Sequence, residues 1–322
     1  MPRVQPIYAA ILLVVLFLCH AAPVLAADPV EVEVSGIEGE ALENVQQALA
    51  LPYGLVRDGK VDRLWLDRYA QQAVEKTRLA LHPYGYYHAR VSARVEERGK
   101  ESLRLLVAVT PGEPVHLSEV DLDLTGAGAG EEQLQSLAAS FPLARGDVLL
   151  QPDYERAKGG LKSRAVTLGY LDADFTRHEI RIAPGALTAR IKLTLQTGER
   201  YLFGATRIEG AAEYPQSYLN RFLAFKEGEV FSYAKLGETQ LNFSNSERFK
   251  GVVVAPKRQQ ARDLHVPVLV ELTSGPRRTL RPGLGYGTDT GARFTARFRD
   301  LNLFHKGHDL DLNLYAAQRL QG

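Results

Sequence analysis

Short runs of alternating hydrophobic and polar residues recur along this chain. Residues 30–34 read Val-Glu-Val-Glu-Val and residues 120–124 read Val-Asp-Leu-Asp-Leu, which is the pattern of a strand with one buried face. Each run leads into an apolar-x-glycine step, and a third such step follows, so that the steps end at Gly36, Gly126 and Gly210. The spacing of about 84 to 90 residues is too long for a solenoid and predicts tandem copies of a small domain.

Helical spacing of apolar residues follows each opening strand and predicts two helices in every copy. In the second copy, Tyr154 and Leu161 lie on one stripe of the second helix. Just before that helix stands Gly-Asp-Val-Leu (146–149), which is answered by Gly-Glu-Val-Phe (228–231) before the corresponding helix of the third copy. Ser232 follows as the predicted N-cap of that helix.

Each copy closes with two further alternating strands. These strands are predicted at 87–95 and 103–109, at 171–175 and 187–195, and at 252–254 and 264–272. The outward row of the first pair holds the candidate binding residues His88, Arg90, Ser92 and Arg94, because an edge strand has unpaired backbone groups that can add a strand from another chain. Proline at Arg90 is expected to remove one such edge donor. The order β-α-α-β-β, three times over, predicts an α+β fold.

A glycine-rich segment opens the last part of the chain, and the segments 294–298 and 310–314 that follow it alternate apolar with polar residues. The candidate first strand contains Gly283, Gly285, Tyr286 and Gly287. One apolar and one polar face is what a β-barrel between lipid and a wet lumen requires. The alternative is an amphipathic hairpin that covers a soluble sheet. A hairpin turn is predicted at 305–308, where Gly307 can adopt a positive φ.

The N-terminus has the pattern of a cleavable signal, with Arg3 before a short apolar run and small residues around Ala26. An N-terminal anchor helix is the alternative. Cleavage removes Arg3 and the only cysteine, Cys19, and changes the formal charge from +1 to 0. We therefore expect an exported chain without disulfides. The predicted boundaries are 1–26 for the signal peptide, 28–110, 111–197 and 198–276 for the three copies, and 277–322 for the start of the barrel.

No enzymatic motif supports a reaction: the sequence has neither a nucleophile elbow nor a P-loop. The balanced charge argues against nucleic acid as a partner. His305 and His308 bracket a turn without an accompanying carboxylate or cysteine cluster, so no metal site is predicted there, and no catalytic or cofactor-binding residue is predicted at all. Arg277, Arg278 and Arg281 form a basic cluster, interpreted as a solvated linker face, with contact to anionic lipid headgroups as the alternative.

The repeated β-α-α-β-β unit, the Gly-[Asp/Glu]-Val start of its second helix and the segment Tyr201-Leu202-Phe203-Gly204 resemble POTRA domains. These are periplasmic polypeptide-transport modules that precede certain outer-membrane barrels. Three such units before the segment 283–291 resemble the BamA/TamA superfamily, and the TamA type within it, since BamA types usually carry five units and two-partner secretion transporters two. The resemblance covers essentially the whole chain after the signal peptide.

The resemblance implies an outer-membrane protein with periplasmic POTRA domains that assembles or translocates other proteins. The implied partners are a TamB-like protein anchored in the inner membrane, unfolded outer-membrane protein or autotransporter clients, and outer-membrane lipid. It also implies insertion through a weak seam beside the first barrel strand. Alternatives are a two-partner secretion transporter, a BamA homologue, a soluble periplasmic POTRA scaffold, or an enzyme with its catalytic domain beyond Gly322. With about three barrel strands, the chain is expected to be a fragment or a truncated product.

Overall fold

A computed structural model of the chain describes residues 30–57, 60–98, 102–287, 291–304 and 306–317. The predicted signal peptide and His305 lie outside the described residues. The chain forms two compact units. The first runs to Ser118 and includes 146–152 and 182–189, and the second contains 119–145, 153–181 and everything from 190 onward. The predicted domain boundaries remain a prediction. Each β-α-α-β-β set of elements is called a repeat.

The first repeat is built on a three-stranded sheet of order β1-β5-β4. Its elements are β1 (Val30–Ser35), α1 (Gly39–Ala48), the short pair β2 (Val56–Arg57) and β3 (Lys60–Val61), α2 (Arg63–Leu81), β4 (Arg90–Glu97) and β5 (Leu103–Thr110). Strand β1 runs parallel to β5, and β4 runs antiparallel to it. Helix α2 begins where the Asp62 side chain accepts the Trp65 N–H at 3.0 Å, and its buried stripe includes Leu66, Tyr69 and Ala73.

The second repeat has the sheet order β6-β8-β7. Its elements are β6 (His116–Thr125), α3 (Glu132–Ala139), α4 (Gln151–Thr167), β7 (Asp174–Ala183) and β8 (Thr188–Gln196). Tyr154 and Leu161 are both buried on α4, as the stripe predicts. The apolar periodicity of this segment therefore marks the face that packs inward.

The third repeat repeats this sheet order, with β10-β11-β9. Its elements are β9 (Leu202–Glu209), α5 (Gln216–Leu219), α6 (Tyr233–Asn245), β10 (Phe249–Pro256) and β11 (His265–Ser274). The Ser232 side chain accepts the Lys235 N–H at 3.5 Å, which confirms the predicted N-cap. Helix α5 has only four residues, and beyond it the Phe222 carbonyl accepts a hydrogen bond from the Asn242 amide of α6 at 3.1 Å.

Three antiparallel strands follow: β12 (Arg278–Gly287), β13 (Gly291–Leu303) and β14 (His308–Ala317), in the order β12-β13-β14. Gly307 has φ +76° in the turn between β13 and β14, as the sequence predicts. Among the described residues, no helix is both long and apolar enough to cross a membrane.

The glycines that mark the repeat are required by their surroundings. Gly36 has φ +89° and Gly210 has φ +84°, a region that side chains other than glycine rarely adopt. A Cβ added to Gly36 would lie 1.9 Å from the Val109 carbonyl oxygen, and one on Gly210 would lie 1.9 Å from that of Leu272. The apolar-x-glycine step is therefore the point where the chain lies directly against a carbonyl of the central strand in each of these sheets.

Candidate functional site at the open sheet edges

Strand β4 forms one edge of the first sheet. Arg90, Ser92 and Arg94 are exposed along it, in the outward row that the alternation predicts, and the Arg94 guanidinium contacts Glu96 at 2.7 Å. The remaining candidate, His88, precedes the strand, and its Nε2 lies 3.0 Å from the Pro184 carbonyl oxygen. Three of the four predicted residues thus share an exposed edge, while the fourth is engaged elsewhere.

The backbone of β4 decides which groups are free at this edge. The Arg98 N–H donates to the Ser102 carbonyl at 2.8 Å, and paired positions of an antiparallel ladder alternate between bonded and non-bonded. Arg90 pairs with Thr110 and therefore falls on a bonded position, whereas Val95 falls on an outward-facing one. The expectation that proline at Arg90 removes an edge donor is wrong, because that N–H belongs to the ladder. Proline at Val95 removes one.

The opposite edges of the second and third sheets are partly closed. Leu117 in β6 exchanges two backbone hydrogen bonds with the segment 146–149, at 2.7 and 2.8 Å. Phe203 in β9 exchanges two with the segment 228–231, both at 2.8 Å. The Gly-[Asp/Glu]-Val segments, recognised in the sequence only as helix starts, therefore also cover part of a strand edge. Among the described residues, the edges of these two sheets that this arrangement leaves open are those of β7 and β10.

The C-terminal sheet has two faces of opposite character. Directly paired residues place Leu284 opposite Phe294 and Phe298 opposite Leu312. The exposed large side chains of this apolar face are Leu280, Leu284, Tyr286, Phe294, Leu312 and Leu314. Leu284 is 89% exposed. The other face carries arginines, threonines and Asp311, with Tyr315 exposed near the end of β14. The strands therefore present mainly apolar side chains in one direction and mainly polar ones in the other.

The predicted seam strand is the edge strand β12. Gly283, Gly285, Tyr286 and Gly287 all lie within it, and the three glycines fall on the polar face. A Cβ on Gly283 would lie 2.5 Å from the Thr295 Oγ1, and one on Gly285 would lie 2.8 Å from a side-chain atom of β13. The glycines therefore allow long side chains of β13 to fold over β12.

A buried polar cluster lies where the C-terminal sheet begins. Asp300 is 1% exposed and accepts hydrogen bonds from Arg277 at 2.9 Å and from Arg278 at 2.8 Å. Each of these two arginines is therefore oriented by a buried carboxylate. The side chain of Arg278 is 63% exposed, as a solvated linker face requires, whereas that of Arg277 is 32% exposed. Asn302, also buried, donates to the Glu213 carbonyl at 3.1 Å.

The turn after β13 packs against the third repeat. Gly307 lies beneath the ring of Tyr218, and a Cβ at this glycine would overlap the ring. Arg248 is stacked over the same ring, 5.5 Å from its centroid, and pairs with Asp309. These contacts attach the sheet to the residues that lead into β10.

Outside the C-terminal sheet, ionisable side chains join separate segments of the chain through hydrogen bonds and ion pairs. Asp172 accepts the Tyr201 hydroxyl at 2.7 Å, and this bond raises the pKa of Tyr201. Arg258 pairs with the same carboxylate and lies over the Tyr201 ring. The same arrangement recurs in Glu131, Tyr170 and Arg200. In the described part of the chain, no three histidine, cysteine or acidic side chains come together as metal ligands.

Comparison with known proteins agrees with this architecture. Residues 31–111 match the family described as POTRA domain, TamA domain 1. A protein of Treponema pallidum (strain Nichols), whose name proposes a role as an outer membrane protein assembly factor, is 22% identical over 268 residues, which is 79% of this chain and 31% of that protein. The chain thus spans about a third of the length of this relative.

The fold also resembles a solved structure. BamA from Haemophilus ducreyi lacking POTRA domains 1–3 superposes with a TM-score of 0.50 at 18% identity, covering 63% of this chain and 37% of that one. At this identity the likeness concerns the fold. The chain is therefore an α+β protein with POTRA-like β-α-α-β-β units, the first of which matches the family described as TamA domain 1.

Proposed function

We propose that this protein is an outer-membrane assembly or translocation factor of TamA type. Its repeats bind extended segments of partner and client proteins by strand addition, and its C-terminal strands begin a barrel through which clients are inserted or secreted. The proposed location is the outer membrane, with the repeats in the periplasm. The proposed partners are a TamB-like inner-membrane-anchored protein at the first repeat and unfolded outer-membrane proteins.

The observation that carries this proposal is the exposed apolar face of the C-terminal sheet. Six large apolar side chains are exposed on it, and full burial of such a side chain contributes about 1.5–3 kcal/mol. Burying this face away from water would therefore contribute a free energy on the order of 10 kcal/mol. A sheet with this face and an arginine-rich reverse face suits lipid on one side and an aqueous lumen on the other.

The sheet edges support the client-binding part of the proposal. An edge strand offers backbone N–H and C=O groups to any extended chain, so recognition does not depend on a particular client sequence. The edge of β4, with Arg90, Ser92 and Arg94, is the proposed surface for the partner. The glycine-rich edge of β12 is the proposed seam, because sparse side chains there leave fewer packing contacts to break when the edge opens.

A vesicle-binding experiment tests the membrane part. Leu312 and Asn313 are neighbours in the middle of β14, with side chains on opposite faces. Lysine on a lipid-facing strand position costs about 2–4 kcal/mol near the bilayer centre and little on the lumen side. We expect the full chain to float with phospholipid vesicles and resist alkaline extraction, Leu312→Lys to lose at least about tenfold of this association, and Asn313→Lys to retain it.

Two results would contradict the proposal. If the wild-type chain stays in the aqueous fraction as a monodisperse protein, the apolar face has another cover and the soluble scaffold becomes the better account. If Leu312→Lys and Asn313→Lys lose association equally, the two faces do not differ in their surroundings.

A further inference from the structure

We infer that the β10 edge of the third repeat is the docking site for an extended segment of a client that is apolar in its centre and not basic at its ends. This inference rests on the proposed function and specifies which edge and which kind of strand. Within the described residues, β10 has a strand neighbour on one side only, β11. Its other side is a free edge, and the opposite edge of the same sheet is partly covered by the segment 228–231.

The hydrogen-bond register identifies the free groups of β10. The Lys257 N–H donates to the Pro267 carbonyl at 2.8 Å, which makes this a bonded pair. Alternation along the ladder then turns the backbone groups of Val252, Val254 and Pro256 outward. The position of Pro256 agrees with this register, since proline within a sheet is tolerated where its missing N–H faces away from the ladder.

The open edge strand β10 carries fewer charged residues than the open edge strands β4 and β7. Strand β4 reads Arg-Val-Ser-Ala-Arg-Val-Glu-Glu, and β7 reads Asp-Phe-Thr-Arg-His-Glu-Ile-Arg-Ile-Ala. Natural proteins place such charges on edge strands to prevent unwanted pairing. Strand β10 reads Phe-Lys-Gly-Val-Val-Val-Ala-Pro and has no charge after Lys250. Val253, in the middle of the stretch 251–255, is 52% exposed, so this stretch carries no protective charge.

The residues at the two ends of the open stretch of β10 indicate the length and charge of the strand that would pair with it. A register shift between Phe249 and Gly251 closes it at the start, and Pro256 ends it. Lys250 and Lys257 flank it on either side. A partner strand that matches this edge is about five residues long, β-branched or otherwise apolar in its centre, and neutral or acidic at both ends.

The first repeat supplies a matched control position. Lys257 pairs with Pro267 as Arg98 pairs with Ser102, so Val254 in β10 corresponds to Val95 in β4. Both valines are half-buried and pack on their own core. Proline at either position removes an outward donor without removing a ladder bond, and alanine at Val254 removes the same side chain but keeps the donor.

The experiment uses the full chain in detergent micelles. The probe is a fluorescent peptide of eight alternating valines and threonines with one glutamate at each end, and its binding is measured by fluorescence anisotropy. We expect Val254→Pro to weaken binding at least about tenfold, Val254→Ala to stay within about threefold of wild type, and Val95→Pro to leave binding unchanged. Far-UV circular dichroism checks that each variant is folded.

A second variant keeps the test decisive if Val254→Pro does not fold. Val253→Lys changes only an exposed side chain and adds an edge charge of the kind that β4 carries, and we expect it to weaken binding about fivefold or more. Binding lost in Val95→Pro and kept in the β10 variants would overturn the inference and leave client binding by strand addition intact. Wild-type chain that floats with vesicles yet does not bind the peptide would also overturn it, without touching the membrane part of the proposed function.

Discussion

The repeat glycine Gly36 offers a sharp test of how the first domain is built. Replacing it with alanine introduces a Cβ that would lie 1.9 Å from the Val109 carbonyl oxygen, at a backbone φ of +89°. Gly39, three residues later, also has a positive φ, +63°, but a Cβ there meets nothing within 4 Å. The pair Gly36→Ala and Gly39→Ala therefore separates the cost of the backbone conformation from the cost of the collision.

The two costs can be estimated. A left-handed conformation costs a residue other than glycine about 1–2 kcal/mol, and the reduced freedom of the unfolded chain returns about 0.4–1 kcal/mol of this. Gly39→Ala should therefore destabilise by about 0.5–1 kcal/mol. Gly36→Ala carries the same term and must also displace the backbone of β5, which adds about 1–3 kcal/mol, as overpacking does.

The assay is urea unfolding followed by tryptophan fluorescence. Trp65 is the only tryptophan of the chain and packs against the core of the first repeat, so it reports on this domain. With a slope of about 1 kcal/mol per molar urea for a domain of this size, Gly36→Ala should unfold about 1–3 M earlier than Gly39→Ala. Equal midpoints would refute the close approach over β5 and the explanation of the repeat that follows from it.

Two further predictions concern other parts of the chain. Burial raises the pKa of Tyr154 to about 12, and its hydroxyl has no hydrogen-bond partner among the described residues. The folded state therefore keeps its stability below about pH 10 and loses part of it as the pH rises toward 12, because the tyrosine of the unfolded chain ionises first. Tyr154→Phe should therefore be neutral or stabilising by about 1 kcal/mol and unfold at higher pH than wild type in an alkaline titration by circular dichroism; earlier unfolding would contradict the burial argument. Gly307→Ala should push the turn away from Tyr218 and speed hydrogen exchange of the Leu301 amide, which donates to the Arg277 carbonyl at 3.0 Å. The control is Gly228→Ala, which has φ +84° and open space around it and should leave this exchange rate unchanged. Equal exchange in the two variants would show that packing against Tyr218 does not hold the turn.

Local pattern was enough to predict most of the elements. The alternation at 30–34 predicts β1, the stripe with Tyr154 predicts α4, and Ser232 caps its helix as its residue type suggests. These features depend on residues that are close in sequence, within one turn or one strand, so the spacing of residue types is enough to predict them. The outward row of β4 follows for the same reason, although its role in binding stays a prediction.

The sequence did not reveal what depends on distant partners. Asp300 breaks the alternation of β13, because it stands at a position of the apolar row, and only the strand register brings Arg277 and Arg278 to it. The segment 146–149 is visible as a motif, but its pairing with Leu117 requires the fold. The error at Arg90 has the same origin, because alternation of side chains shows which face a residue occupies and leaves open the direction of its N–H.

The partly covered edges of β6 and β9 set the valency of these sheets. With one side covered by 146–149 or 228–231, each of these sheets can grow from a single side. An added strand then becomes the new edge of that sheet, at the far end from the covered side. The proposed strand addition is therefore directed to one fixed side of each of these two sheets.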